Sequence, residues 1–366
     1  MDNSESNSLQ SSSSSKMGFE RIQLENAEDM ESWDEYVIRH PKSTPYHLSP
    51  WLKTIAATYG FRDFLYAQRD ADGNFNFVLP LFRVTRLFSA AKLVSLPFSD
   101  YGGPLSLFES DQPQLLQKFL HDQIRKTCSV ELRGSAADCS SFNPFFYFKR
   151  HILDLDRDIA KIENSINKKT IKYSIRKAEK AGICVDMETD REAMHVFSRL
   201  NHLTRKKRGV PAQPPVFFDN LYKYVIAPGH GFIMIARHEG KPIAASLFLA
   251  AGDHLHYKYN ASDPEALKTL TPNHLLLWNT IKLAKERGYR TLDFGRSSPD
   301  NMGLIRYKEM WGVECFDAPY FFYGCKTGAS SVRENSAGYS VVTRVWARLP
   351  DSVTNFLEPL IFPYLA

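Results

Sequence analysis

The chain has 366 residues, 43% of them hydrophobic and 24% charged, with a formal net charge of +5 at pH 7. That length leaves room for two domains of ordinary size, and the composition is that of a soluble globular protein rather than a disordered or fibrous one. So modest a charge does not by itself make a nucleic-acid binder, and no run reaches the roughly 18 apolar residues of a spanning helix.

Residues 1–17, "MDNSESNSLQSSSSSKM", are polar and of low complexity, without the apolar stretch of a signal peptide. They read as a disordered leader, with Met17 as an alternative start, and the chain is expected to stay in the cytoplasm. Five cysteines (Cys128, Cys139, Cys184, Cys315, Cys325) make no CxxC pair, so neither a zinc site nor a disulfide framework is expected.

Met30, Trp33, Val37 and Ile38 stand at helical spacing over 27–39, and a second helix follows from Pro50 to Tyr59. Two strand-like runs then flank Asp72–Gly73, a hairpin signal. "KLVSLPFSDYGGPLSLF" reads as strand, Gly-Gly loop and strand; 112–126 is helical in pattern, and "CSVELRGS" is another strand. Past a junction placed near Arg150, "RHILDLD" predicts a strand, 158–182 one long helix and 189–207 another. Three strands joined at Glu239–Gly240 and Gly252–Asp253 come next, then an amphipathic helix over 272–287 that Gly288 stops. Each half therefore reads helix, helix, antiparallel strands, helix, strand.

The chemistry-bearing stretches lie in the second half. In "NKKTIKYSIRKAEKAG" (167–182), Lys168, Lys172, Arg176 and Lys180 stand four apart, which places them on one helix face. Such a stripe is either a solvated face or a site for phosphate or another polyanion. Arg205 to Arg208 are four consecutive basic residues ending a helix; they either complement its dipole or border a cleft beside the proline-rich "GVPAQPP" loop. "RTLDFGRSSPDNMGLIRYKEMWG" (290–312) gathers Asp293, Arg296, Asp300 and Lys308 where a strand ends and a short helix begins, the usual place for a ligand in α/β architectures. His254 and His256 share a strand face and His195 and His202 lie on one helix; neither pair has a strong metal spacing, and structural histidines are the expectation. GxSxG, GxxxxGK[ST], HExxH and GxGxxG are absent from the sequence, which weighs against serine hydrolases, P-loop enzymes, zincins and dinucleotide-binding enzymes.

The 167–182 stretch resembles the S-x-K-x-R-x-x-I-R-K-A-x-K-x-G helix signature of FemAB-like acyltransferases. "LDFGRSSPDNMGLIRYKEMWG" resembles the same group's D-F-G-R-S loop and [FY]-K-x-x-[FW]-G helix, and "LVSLPFSDYGGPL" is similar to a segment of its exopolysaccharide-locus subgroup. The resemblance covers roughly residues 19–325. It implies an α+β (α/β) fold of two tandem GNAT-like domains, 18–150 and 151–326, with central, mainly antiparallel sheets flanked by helices, the second domain being BioF2-like. It implies transfer of an acyl, acetyl or aminoacyl group to an amine acceptor, a cell-envelope or exopolysaccharide precursor. By position, Lys308 matches the family lysine assigned a role near the reacting carbonyl, and Arg176 and Lys177 match the signature's basic pair. The helical arm of some aminoacyl-tRNA-using members has no room here, and the Q/R-x-x-G-x-G/A pyrophosphate loop of ordinary GNAT enzymes is missing.

The sequence reading thus expects Lys308 as the oxyanion partner and Asp293 or Asp300 as the base. Lys172, Arg176, Lys177, Arg205, Arg208, Arg296, Tyr101 and Tyr307 are expected to bind an anionic small-molecule or lipid-linked glycan substrate. No bound cofactor or metal is expected. The donor stays open between acyl-CoA, an acyl carrier protein and aminoacyl-tRNA. The alternative class is a non-catalytic binder of an anionic glycan, lipid precursor or RNA on a degenerate fold. In the tail, 327–366, Val353, Phe356, Leu357 and Leu360 lie at helical spacing. They predict an amphipathic helix that either docks on its own protein or lies in the interface of a membrane.

Overall fold

The computed structural model describes residues 18–86, 89–124, 129–134, 141–324 and 337–365, so the leader with Met17 and the polar stretch 327–336 lie outside the described residues. The first half runs β1 (Glu20–Ile22), α1 (Ala27–Arg39), α2 (Ser49–Tyr59), β2 (Arg62–Arg69), β3 (Phe75–Arg86), β4 (Ser89–Val94), β5 (Leu105–Ser106), α3 (Gln112–Gln123), β6 (Ser129–Arg133) and β7 (Asn143–Asp154). The second continues with α4 (Ile159–Ser165), α5 (Tyr173–Lys180), β8 (Cys184–Glu188), α6 (Arg191–Lys207), α7 (Pro215–Leu221), β9 (Gly231–His238), β10 (Lys241–Ala251), β11 (His254–Ser262), α8 (Pro272–Glu286), β12 (Thr291–Ser297), α9 (Met302–Glu309) and β13 (Glu314–Tyr323). The tail adds α10 (Ala337–Arg348) and α11 (Asp351–Ile361).

The thirteen strands among the described residues belong to one sheet, ordered β1-β2-β3-β4-β6-β13-β7-β12-β11-β10-β9-β8, with β5 paired to β3. Pairing is antiparallel except at β4–β6 and β11–β12, where α3 and α8 make the crossovers that parallel neighbours require. The two halves therefore repeat one pattern, and at the centre they exchange strands. β7 follows β6 in the chain but pairs with β12, and β13 follows β12 but pairs with β6. Arg150, where the sequence places the junction, lies inside β7 and pairs with Phe316 on one side and Arg296 on the other.

Strands β9 and β10 are apolar at nearly every position because both faces of the sheet are covered. Ile233, Ile235, Ala245 and Leu247 face a core that also takes Trp33, Trp51 and Leu65 of the first half, together with Phe197 of α6. Phe232, Met234, Ala244 and Phe248 face a second core built on Leu276 and Ile281 of α8 and on Trp311.

The sequence reading contains no counterpart of β1, β8, α7 or β13, and one expected helix takes another form. The single helix expected over 158–182 is broken into α4, a π-helical turn at Lys168–Lys172, and α5. Asn167 makes the break: its side chain accepts from Thr170 N at 2.9 Å, and its own N–H donates to Met310 O at 2.8 Å, which ties the turn to the end of α9.

Candidate active site

The stretch "LDFGRS" forms β12 and carries a bulge. Asp293 pairs with Ile152 and Arg296 with Arg150, so β12 holds one residue more than β7 between these points. Gly295 occupies it with φ +73, a left-handed conformation that favours glycine, and a Cβ there would lie 3.3 Å from Asp100 Oδ2. Asp293 Oδ1 accepts from Gly295 N at 2.7 Å and fixes the turn, while Oδ2 accepts from Arg150 Nε at 2.6 Å.

The bulge aims two carbonyls at α9. Lys308 Nζ donates to Gly295 O at 2.9 Å and to Arg296 O at 3.1 Å. A helix lysine ordinarily faces solvent, but Lys308 is only 6% exposed. Ile305, three residues before it on α9, and Trp311, in the turn just after the helix, are both buried. Burial pulls the ammonium down from its usual value to about 8, against the carboxylates of Asp100 and Asp293, which favour the charge.

Across from the bulge, the loop 95–103 brings in Asp100. Its carboxylate accepts from Tyr46 Oη at 2.7 Å and from His256 Nε2 at 3.0 Å, and lies 3.6 Å from both Lys258 Nζ and Arg296 Nε. Burial would push the Asp100 carboxyl up, but Lys258, His256 and Arg296 hold it well below the usual carboxylate range. His256 spans the two acids, with Nδ1 at 3.6 Å from Asp293. Burial lowers Lys258 to about 8 despite Asp100. Arg150, Lys258, Arg296 and Lys308 face the two carboxylates of Asp100 and Asp293, so the cluster carries an excess of positive charge in low-dielectric surroundings. Tyr101, with Arg150 4.7 Å over its ring, has its hydroxyl buried with no hydrogen-bond partner among the described residues, and so does Ser297.

The structure thus brings together Asp293, Arg296, Lys308 and Tyr101 of the residues singled out in sequence. The others stand apart from the cluster. Asp300 is exposed in the loop before α9, and Tyr307 packs beside His274 in the second core. Arg176 and Lys177 are exposed on α5; Lys172 is 13% exposed and lies 3.4 Å from Glu163, so this part of the basic stripe has an acidic partner. Arg205 Nε donates to Pro211 O at 3.1 Å, and Arg208 is exposed at the end of α6.

A family model described as an acetyltransferase (GNAT) domain matches residues 166–309. A lipid II:glycine glycyltransferase of Staphylococcus aureus is 34% identical over 81 residues, 20% of this chain and 19% of that one, so the match spans about a fifth of the curated relative. The fold is that of the crystal structure of FemX, with TM-score 0.66 and 17% identity over 84% of this chain and 98% of that one. L-PGS from Bacillus licheniformis is also similar, with TM-score 0.56 and 17% identity over 90% of this chain and 99% of that one. Residues 166–309 thus carry a GNAT domain, part of the chain is similar to that glycyltransferase, and the fold is like that of FemX.

The sequence reading missed Asp100, His256 and Lys258. Asp100 sits beside Tyr101 in a segment already singled out, and His256 was read as structural. Lys258 left one signal, a lysine amid the strand pattern of "HLHYKYNAS" that α6 and α7 cover. What joins the three is contact across more than 150 positions, which no local spacing carries.

Proposed function

We propose that this protein transfers an aminoacyl or other acyl group to an amine on a cell-envelope precursor, with Lys308 at the reacting carbonyl. The observation that carries the reading is the buried Lys308 ammonium, fixed by two carbonyls of the Gly295 bulge inside a cluster with excess positive charge. Two of its three N–H groups are so held, and the third is a donor for an oxyanion. The acceptor nitrogen attacks the carbonyl carbon of an ester or thioester. The carbonyl π electrons move to oxygen beside Lys308, and the C–O or C–S bond then breaks as the oxyanion collapses. The proton lost by the amine passes to a base and from there to the leaving group. Asp293 is fully engaged by Arg150 and Gly295, so it acts through them as a positioning residue; Asp300, exposed and apart from the cluster, is not held against the reacting carbonyl. Tyr101 and Arg296 orient the acceptor.

The relative named as a lipid II:glycine glycyltransferase supports an aminoacyl group and a lipid-linked acceptor, and aminoacyl-tRNA, acyl-CoA and acyl carrier protein are the donors to test. A peripheral contact with the inner face of a membrane would bring the protein to such an acceptor. Among the described residues no helix is long and apolar enough to cross one. The assay incubates the purified protein with labelled aminoacyl-tRNA, acetyl-CoA or acyl carrier thioester in turn, each with a lipid-linked muropeptide or a free amine glycan. Lys308→Met should lower the rate with the productive pair by about 10²–10³, the range for one lost oxyanion donor. Equal rates in variant and wild type would remove Lys308 from the mechanism.

A further inference from the structure

The tail helix α11 is docked inside out. Its buried residues are Thr354 and Glu358, while Val353, Phe356 and Leu360 are 37%, 71% and 56% exposed. The polar side is held to α6 and the loop after it. Asp351 pairs with Lys206 and lies 3.4 Å from His202, and Glu358 Oε1 accepts from Ala212 N at 3.0 Å. Just past its end an apolar anchor turns inward, where Phe362 stacks on Tyr59 and packs at a tilt against Phe98. Docking on its own protein and offering an apolar face, taken as alternatives in sequence, are therefore both realised. The outward strip continues into Tyr364 and Leu365 and is preceded by Val345 on α10.

The charges around this strip have one sign. Of the acidic residues between 337 and 366, Asp351 and Glu358, both are committed to His202, Lys206 and Ala212. Arg344 and Arg348 are exposed on α10, where they line one concave patch with Val345 and Leu349. The exposed Lys207 and Arg208 adjoin it, since a Cβ on neighbouring Gly209 would run into the Thr343 backbone. An apolar strip bordered by cations, with its own acids turned away, complements a surface that is anionic above and apolar below.

We infer that α11 with the basic end of α10 is a docking face for an anionic phospholipid bilayer. The inference stands on the tail alone and does not depend on the acyl acceptor. The test is co-sedimentation of the full chain with vesicles of phosphatidylcholine alone and of phosphatidylcholine with phosphatidylglycerol. Binding to the anionic vesicles is expected, with a partition coefficient at least tenfold lower for Phe356→Ser with Leu360→Ser. For Arg344→Glu with Arg348→Glu the loss should shrink as salt rises. The substituted side chains are solvent-facing, so thermal melting of each variant should match wild type. Absence of binding to either vesicle, or binding that ignores the Phe356/Leu360 change, would overturn the proposal. So would a dimer in light scattering that dissociates on that change without any vesicle binding, because a second copy would then be the occupant.

Discussion

Lys308 is charged at neutral pH only against the cost of its burial, and that makes it a group whose titration can be read. Its folded-state pKa of about 8 lies below the usual 10.5, so the unfolded chain holds this proton more tightly than the folded one. The associated penalty on stability is complete below about pH 8 and is relieved as pH rises from there through 10.5. Activity should go the other way. An oxyanion partner must be protonated, so turnover should fall above about pH 8 in a pH–rate profile with the productive donor. Lys308→Arg, whose guanidinium keeps its proton, should move that alkaline limb upward even if the rate is lower. An unmoved limb would assign it to another group, Lys258 being the obvious one since it too titrates near 8. At this scale the sequence was half legible. Asp293, Arg296 and Lys308 could be found because one strand, one bulge and one helix turn hold them within 16 positions. The burial of Lys308 was also written there, in Ile305 and Trp311 three residues to either side, but a lysine's solvent preference hid it.

The element that completes the site is the loop 95–103, and it is held rather than relaxed. Leu96 and Phe98 take φ of +52 and +61, left-handed values that cost non-glycine residues about 1–3 kcal/mol each. A Cβ on Gly102 would collide with the Leu96 side chain, so the two turns of the loop fit only as a pair. What opposes the strain is a set of fixed donors. Lys258 Nζ donates to Phe98 O at 2.8 Å, Tyr320 Oη to Asp100 O at 2.8 Å, and Trp51 Nε1 to Ser99 Oγ at 3.0 Å. Lys258→Met should therefore loosen the loop and leave Asp100 short of one cation. A loss of about 3–5 kcal/mol is expected in denaturant unfolding, the range for breaking a buried pair. Native-state hydrogen exchange should quicken over 95–103 while β9 and β10 stay protected; uniform quickening would mean that the loop is not a separate unit. Sequence periodicity placed the strands on either side of this loop and most helices to within two or three residues. It did not show the loop's conformation, because two strained non-glycine turns are stabilised by donors from β11, β13 and α2, far away in the chain. The π-helical break at Lys168–Lys172 was hidden for a similar reason: Asn167 reads as an ordinary polar position until Met310 O is known to take its N–H.

At the scale of the molecule, the repeated pattern of the halves was visible in sequence and their exchange of strands was not. Hydrophobic pattern reports which segments are strands, but β7 and β13 would satisfy it equally well beside either neighbour. The exchange has an energetic consequence. β13 forms four residue pairs with β6 of the first half, and β7 pairs with β12 of the second at five positions, so neither half closes its own sheet. The larger core is shared as well, since Trp33, Trp51 and Leu65 pack in one cluster with Phe197, Phe217 and Leu247. The charged cluster adds a third tie, as Asp100 belongs to one half and His256, Lys258 and Arg296 to the other. Unfolding one half would uncover the inner face of the other and strand Asp100 or its cations without partners. The described body should therefore melt in one transition, with equal calorimetric and van't Hoff enthalpies, although a chain of this length would ordinarily be granted two. Two resolved transitions in scanning calorimetry would show that the junction near Arg150 separates independent folding units. A single transition would mean that the two halves, with the charged cluster between them, unfold as one unit.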